Sequence, residues 1–203
     1  MFKRYSLAAA LALIIASAAS AQTAPPATLR GTVESISADG ASLNVKARNG
    51  EAATVRLKPD VLVSLIVPAS LAEVKPGAYI GVAAVPDADG ALKALEVHVF
   101  PEALRGAGEG FRPFDLAPGS SMTNGALSAR VDGLKDQTLT VDYAGGSQTI
   151  HLEPNTPIVS FAPGARSDIK PGAAIIARGA RAADGAIEAA RILVGKDGLT
   201  PPM

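Results

Sequence analysis

Hydrophobic and polar positions alternate in short runs along most of this chain, and turn-forming residues cut the runs apart at nearly regular intervals. Arg30 to Ser37 alternates as a strand and is closed by Asp39-Gly40. Ser42 to Ala47 follows, with Leu43 and Val45 on one face because strand side chains point to alternate sides. Asn49-Gly50 then predicts a tight hairpin, since both central residues of a primed turn need positive φ. Ala53 to Leu57 is the returning strand, and Val61 to Val67 is a short apolar run closed by Pro68. Ser70 to Val74 fits one helical turn, with Ser70 as N-cap and Glu73 three residues on, stopped by Lys75-Pro76-Gly77. Tyr79 to Val85, an Asp89-Gly90 turn and Leu92 to Phe100 complete the series.

The series occurs twice. Asp89-Gly90-Ala91-Leu92-Lys93-Ala94 reappears as Asp184-Gly185-Ala186-Ile187-Glu188-Ala189, and Val74-Lys75-Pro76-Gly77-Ala78 as Ile169-Lys170-Pro171-Gly172-Ala173, both at an offset of 95. Leu57-Lys58-Pro59-Asp60 matches Leu152-Glu153-Pro154-Asn155, and Pro68 matches Pro163, at the same offset. Leu43-Asn44-Val45 pairs with Leu139-Thr140-Val141 at 96, one residue having been lost in a turn between. A repeated unit of this size reads as an internal duplication. Five or six short strands in one unit leave costly free edges unless they close on themselves. The fold class expected is therefore all-β: two tandem small barrels, residues 29–100 and 125–196, joined by a long irregular connector at 101–124. A tail at 22–28 and another at 197–203 flank them.

Residues 1–21 are set apart from this pattern. Lys3 and Arg4 precede the apolar run Leu7 to Ala16, and Ala19-Ser20-Ala21 supplies a small-residue cleavage pattern, so a cleavable signal peptide ending before Gln22 is expected. The run is too short to span a bilayer. No later run reaches spanning length, so the mature chain is expected to be soluble, exported and periplasmic or secreted. Charge adds only exclusions. The 203 residues carry 19 basic and 19 acidic groups, which argues against a polybasic nucleic-acid binder. There is no cysteine, so disulfides, thiol nucleophiles, lipid-modified cysteine and thiolate-bound metals are excluded.

The Gly31-Thr32-Val33 opening, the Val74-Lys75-Pro76-Gly77 motif before a strand and the closing Asp89-Gly90-x-Leu92-x-Ala94 hairpin carry a resemblance. The chain resembles the OB-like repeats of an uncharacterised exported domain family of Gram-negative bacteria, whose members often bear the label of a metal ABC transporter permease. The resemblance implies a pair of OB-like barrels and a periplasmic address, and it transfers no catalytic residues. A permease would need spans that this sequence lacks.

The connector departs from a plain linker, which would be polar and poor in aromatics. Only five phenylalanines occur in the chain; Phe111 and Phe114 fall in the connector and Phe100 stands at its entrance. Around them lie Arg105, Glu109, Arg112 and Asp115, and aromatic residues with arginine are the types enriched at binding hot spots. Two readings stay open. Phe111 and Phe114 fill the gap between barrels while the charges pair, or a mobile Gly106 to Gly110 loop presents Arg105, Phe111 and Arg112 to a partner. These six residues are the candidate ligand or partner surface.

Catalytic and metal chemistry have little to build on. His98 and His151 are the only histidines, and the repeat aligns them with Leu193 and Arg56, so they are not copies of one site. Two histidines without cysteine fall short of a zinc ligand set. Glu96 and His98 share a face of one strand, expected to be its solvent-facing polar side. No Gly-x-Ser-x-Gly elbow marks a serine nucleophile. Single-strand nucleic-acid binding wants a basic, aromatic groove that this chain does not offer. The function expected is thus a non-enzymatic binding or adaptor protein without cofactor, with an envelope protein or glycan as partner. The alternatives are a metal- or small-solute-binding accessory of a transport system and an uncharacterised hydrolase.

Overall fold

The computed structural model describes residues 26–88, 90–132 and 137–203. The expected signal peptide, most of the 22–28 tail and Asp89 of the expected turn lie outside these residues. Twelve strands make up nearly all of the regular structure: β1 (Pro26–Ile36), β2 (Ser42–Ala47), β3 (Ala52–Pro68), β4 (Tyr79–Pro86), β5 (Leu92–Val99) and β6 (Gly110–Pro113). They continue as β7 (Ser121–Asp132), β8 (Gln137–Tyr143), β9 (Gly146–Leu152), β10 (Ile158–Pro163), β11 (Ala174–Arg181) and β12 (Ile187–Gly195).

Local chemistry sets the turns as the pattern implies. Gly50 takes φ of +87° between β2 and β3. The turn after β3 is a single 3₁₀ turn at Leu71–Glu73, where the Glu73 carboxylate accepts the Ser70 backbone N–H at 2.8 Å. One expected break is absent: β3 runs unbroken through Lys58-Pro59-Asp60. Its register against β12 jumps there, from Ala189 opposite Leu57 to Arg191 opposite Leu62. The missing Pro59 N–H is absorbed in a bulge, where a ladder bond is lost anyway. The matching Glu153-Pro154-Asn155 does separate β9 from β10.

The strands of 29–100 do not close on one another, which corrects the expected tandem arrangement. β1, β2 and β3 pair in sequence, but β3 then pairs in parallel with β12, and β11 pairs antiparallel with both β12 and β1. That ring of five is closed, and two of its strands come from the second half of the chain. Reciprocally, β7, β8 and β9 form a ladder flanked by β4 and β5 of the first half. β4 pairs antiparallel with β7, and β5 meets β9 in parallel through Leu92–Ile150 and Lys93–His151 alone. Each half thus contributes three strands to one ring and two to the other.

The reason lies in the side chains the exchanged strands offer. β11 and β12 bring Ile175, Ala177, Ile187, Ala189, Ile192 and Val194 to the first core, where Val33, Leu43, Val45, Val55 and Leu57 wait. β4 and β5 bring Ile80, Val82, Ala84, Ala94, Val97 and Val99 to the second, where Leu127, Leu139, Val141, Ile150 and Leu152 wait. Both donated sets are aliphatic, and each fills an apolar core, stabilising it by about 25 cal/mol per Å² buried.

A third, smaller core holds the rings together. β10 runs antiparallel to the end of β3, with Phe161 opposite Ile66, and parallel to β5. Ile66, Val159, Ile176, Leu193 and Met203 are buried there. The 197–203 segment is therefore no free tail. Arg48 donates to the Pro201 carbonyl at 2.5 Å, and Arg30 Nε donates to a Met203 oxygen at 2.9 Å. Nor is 101–124 irregular. After a 3₁₀ turn at Glu102–Leu104, β6 pairs antiparallel with the start of β7 and extends the second sheet.

Candidate functional site

The outer face of β5, β4 and β7 should be wet in an isolated barrel; here it lies against the neighbouring ring. Cross-strand register sets out its residues in two rows. His98, Gly81 and Asn124 stand side by side, with Gly110 of β6 beyond them; Glu96, Ala83 and Met122 form the next row, with Arg112 beyond. Glu96 is 0% exposed and His98 4%, so the expected solvent-facing pair is buried. Their burial follows from the exchange, because β3, β10 and β12 cover the face that strand alternation would leave open.

Buried charge must be paired or it is costly. His98 Nδ1 and Glu96 Oε1 are hydrogen-bonded at 3.0 Å, which pairs the two buried side chains. Nε2 points to where Gly81 leaves room: a Cβ there would stand 1.9 Å from it and 2.5 Å from Asn124 Oδ1. Glycine is required at that strand position by close approach.

Aromatic rings continue the site. His98 meets Phe100 edge-on at 4.8 Å and Phe161 at 5.5 Å, and the two phenylalanines stack at 5.3 Å. Tyr79 tilts against Phe100 at 5.2 Å. Beyond these rings is a cavity of about 210 Å³ at the seam between the two groups of strands. His98, Phe100, Asn124 and Phe161 wall it on one side, and Arg178, Arg191, Leu193 and Met203 on the other. The connector supplies Gly108, Arg112 and Phe114 as the third wall.

Polar atoms here are left without partners. Among the described residues, Tyr79 Oη, Glu96 Oε2, Asn124 Oδ1 and Arg178 Nε are buried and make no hydrogen bond. Burial pushes the Tyr79 phenol above its usual range, with the Glu109 charge adding to the rise and Arg112 and Arg105 opposing it. Burial pushes Arg178 down, and the guanidinium of Arg30 adds to that. Asp115 is held below the usual carboxylate range mainly by its hydrogen bonds from Arg30, at 2.6 and 3.0 Å.

The six residues singled out in the connector divide. Arg112 and Phe114 line the cavity. Asp115 anchors Arg30, whose guanidinium lies 5.6 Å over the Phe114 ring. Arg105 is turned to the outside, bound to Glu102 and to the Gly77 carbonyl with its guanidinium 5.8 Å over Tyr79. Glu109 accepts the Ala144 backbone N–H at 2.8 Å, tying the connector to the β8–β9 turn. Phe111 is 45% exposed and reaches none of these. Sequence reasoning missed Arg178, Arg191, Phe161 and Asn124. The signal lay in the repeat itself, since Arg178 and Arg191 stand where the first copy has Ala83 and Glu96.

A second concavity of about 710 Å³ opens on the first ring between β1, the β2–β3 turn and the β11–β12 turn. Two of its charge pairs close on themselves, Arg56 with Asp184 and Arg30 with Asp115, while Arg48 and Arg181 on its wall donate to the backbone carbonyls of Pro201 and Gly185. Among the described residues no three histidine or acidic side chains gather as a metal-holding group, and no helix is long and apolar enough to cross a membrane. Nor does the His98 ring have a serine at hand: the nearby Ser160 hydroxyl donates to the Val99 carbonyl.

Residues 125–192 match a domain of unknown function, DUF5666. The match covers about a third of the chain, from β7 into β12. In this chain the DUF5666 segment is divided between the two rings: β7, β8 and β9 build one, while β11 and the start of β12 complete the other. No curated protein and no solved structure matches the chain.

Proposed function

We propose that this chain is an exported, non-enzymatic binding protein, built from two OB-like barrels that arose by duplication and that exchange their last two strands. The order β1-β2-β3-β12-β11 around the first ring, with one parallel pair, supports the OB-like reading. The seam between the barrels is its binding site. The observation that carries this is that Arg178 Nε and Asn124 Oδ1, both buried and without a hydrogen-bond partner among the described residues, belong to residues that line one cavity. Native proteins satisfy nearly all such groups, and an unmet set beside a cavity is where a ligand restores the missing bonds.

The connector closes the site and reports on its occupancy to a partner in the cell envelope. To test this, wild-type protein and Arg112→Ala/Phe114→Ala are each incubated with periplasmic extract, re-isolated under native conditions and weighed by mass spectrometry. Wild-type protein gains a bound mass that the variant loses while keeping its fold by circular dichroism. Equal recovery by both overturns the seam as the site. Turnover of a bound compound that disappears in His98→Ala makes the protein an enzyme instead.

A further inference from the structure

Resting on that reading of the seam, we propose that the cavity takes a small organic anion, its carboxylate or phosphate gripped between Arg178 and Arg191, with Arg112 of the connector as a third cation. Arg178 and Arg191 are directly opposite one another on the antiparallel pair β11–β12. Like charges in that position repel and destabilise a sheet. Arg178 is half-buried at the cavity, while Arg191 and Arg112 are exposed at its edge. Among the described residues neither Arg178 nor Arg191 has an ion-pair partner, and Arg112 donates only to the Gly108 carbonyl.

The balance of charge around Arg178 is one-sided. Arg30, Arg191 and Arg112 act on it as like charges, and Asp115 alone opposes them, already committed to Arg30. Glu96, on the facing sheet, is held by His98 and hydrogen-bonds neither arginine. An anion between the two guanidiniums would cancel the repulsion and satisfy the orphaned Arg178 Nε, with the forked geometry that suits carboxylate and phosphate oxygens. The equivalent pair in the other barrel, Ala83 opposite Glu96, shows that the barrel does not need arginines here.

Size and lining narrow the class. At about 210 Å³ the cavity is smaller than the ~300 Å³ at which sites for drug-sized ligands begin. Its remaining wall is mostly apolar, with Phe100, Phe161, Phe114, Leu193 and two methionines, and His98 and Asn124 add polar atoms, so a short, largely apolar or planar body behind the anionic head fits better than a polyhydroxylated one.

The experiment uses the full mature chain and three probes: benzoate, its neutral isostere benzamide, and inorganic phosphate. Binding only the native state raises the melting temperature with ligand concentration. Benzoate or phosphate gives a saturable rise, benzamide does not, and Arg178→Gln or Arg191→Gln weakens the bound anion roughly tenfold to a hundredfold, the worth of one charge-assisted bond. Arg191→Gln also melts higher than wild type when no anion is present, because the cross-strand repulsion is gone. A rise with benzoate alone identifies a carboxylate site; a rise with phosphate, alone or with benzoate, identifies a general oxyanion site. If benzamide binds as well as benzoate, the seam remains a site but the anion proposal falls. If no probe gives a saturable rise in wild type, or the arginine variants bind unchanged, the anion proposal falls as well, and mass gained from extract still decides separately whether the seam binds anything.

Discussion

Gly81 shows how tightly single atoms decide this seam. A methyl group there would collide with His98 Nε2 and Asn124 Oδ1, both on buried side chains that would have to shift. Gly81→Ala is expected to cost about 1–3 kcal/mol, the usual range for overpacking, measured as a lower midpoint in urea. The Arg30–Asp115 pair gives a different signature. Arg30 holds the Asp115 carboxyl below its ordinary 3.8. A depressed carboxylate contributes stability above its unfolded pKa, and that contribution is lost as pH falls through its folded value. Asp115→Asn should therefore melt slightly lower than wild type at pH 7, by no more than about 1 kcal/mol for a pair this exposed, and the two should converge below pH 4. A gap that widens on acidification would contradict the assignment. At this scale the sequence is legible where chemistry is local: Ser70 with Glu73, and Asn49-Gly50, are readable because their partners lie within a few residues. Glu96 and His98 are not, since alternation says that they share a face and is silent on what covers it.

The connector is the element whose reading changes most. A glycine-rich stretch with scattered aromatics looks like loop, yet residues 110–113 form β6 because the exposed edge of β7 offers unpaired backbone groups that another strand can satisfy. Its phenylalanines have different fates on alternate faces of that short ladder and its turn. Phe111 points outward and Phe114 inward, so Phe111→Ala should leave the unfolding free energy within about 0.5 kcal/mol of wild type. Phe161→Ala, in the middle of the stacked rings, should cost up to about 3 kcal/mol, the lower end of the cost of truncating a core phenylalanine. Chemical denaturation of the two variants in parallel checks both values. Equal losses would mean that the connector packs as the interior does. Nothing in the residue pattern distinguishes Phe111 from Phe114, because which face is covered depends on a strand more than fifty residues away.

For the molecule as a whole, the exchange of β4 and β5 against β11 and β12 is the property that pattern reading could not reach. Val74-Lys75-Pro76-Gly77 and Ile169-Lys170-Pro171-Gly172 introduce donated strands of matching alternation, and periodicity marks a strand's apolar face without naming the ring it enters. The donated strands are visible in the sequence; their partners are not, because alternation marks an apolar face and carries no address. Cutting the chain between residues 105 and 106 tests the exchange. The two pieces should co-purify as one compact particle when co-expressed, and neither should chromatograph alone as a folded monomer; two independent monomers would show that each half closes by itself. The same crossing governs time. β1, β2 and β3 leave the ribosome with no lid for their core, and the strands that complete it follow more than a hundred residues later, on the order of ten seconds at the usual pace of synthesis. Through that interval the first half has an open edge and an apolar face, and whatever shelters a nascent chain has to hold it until the last strand arrives.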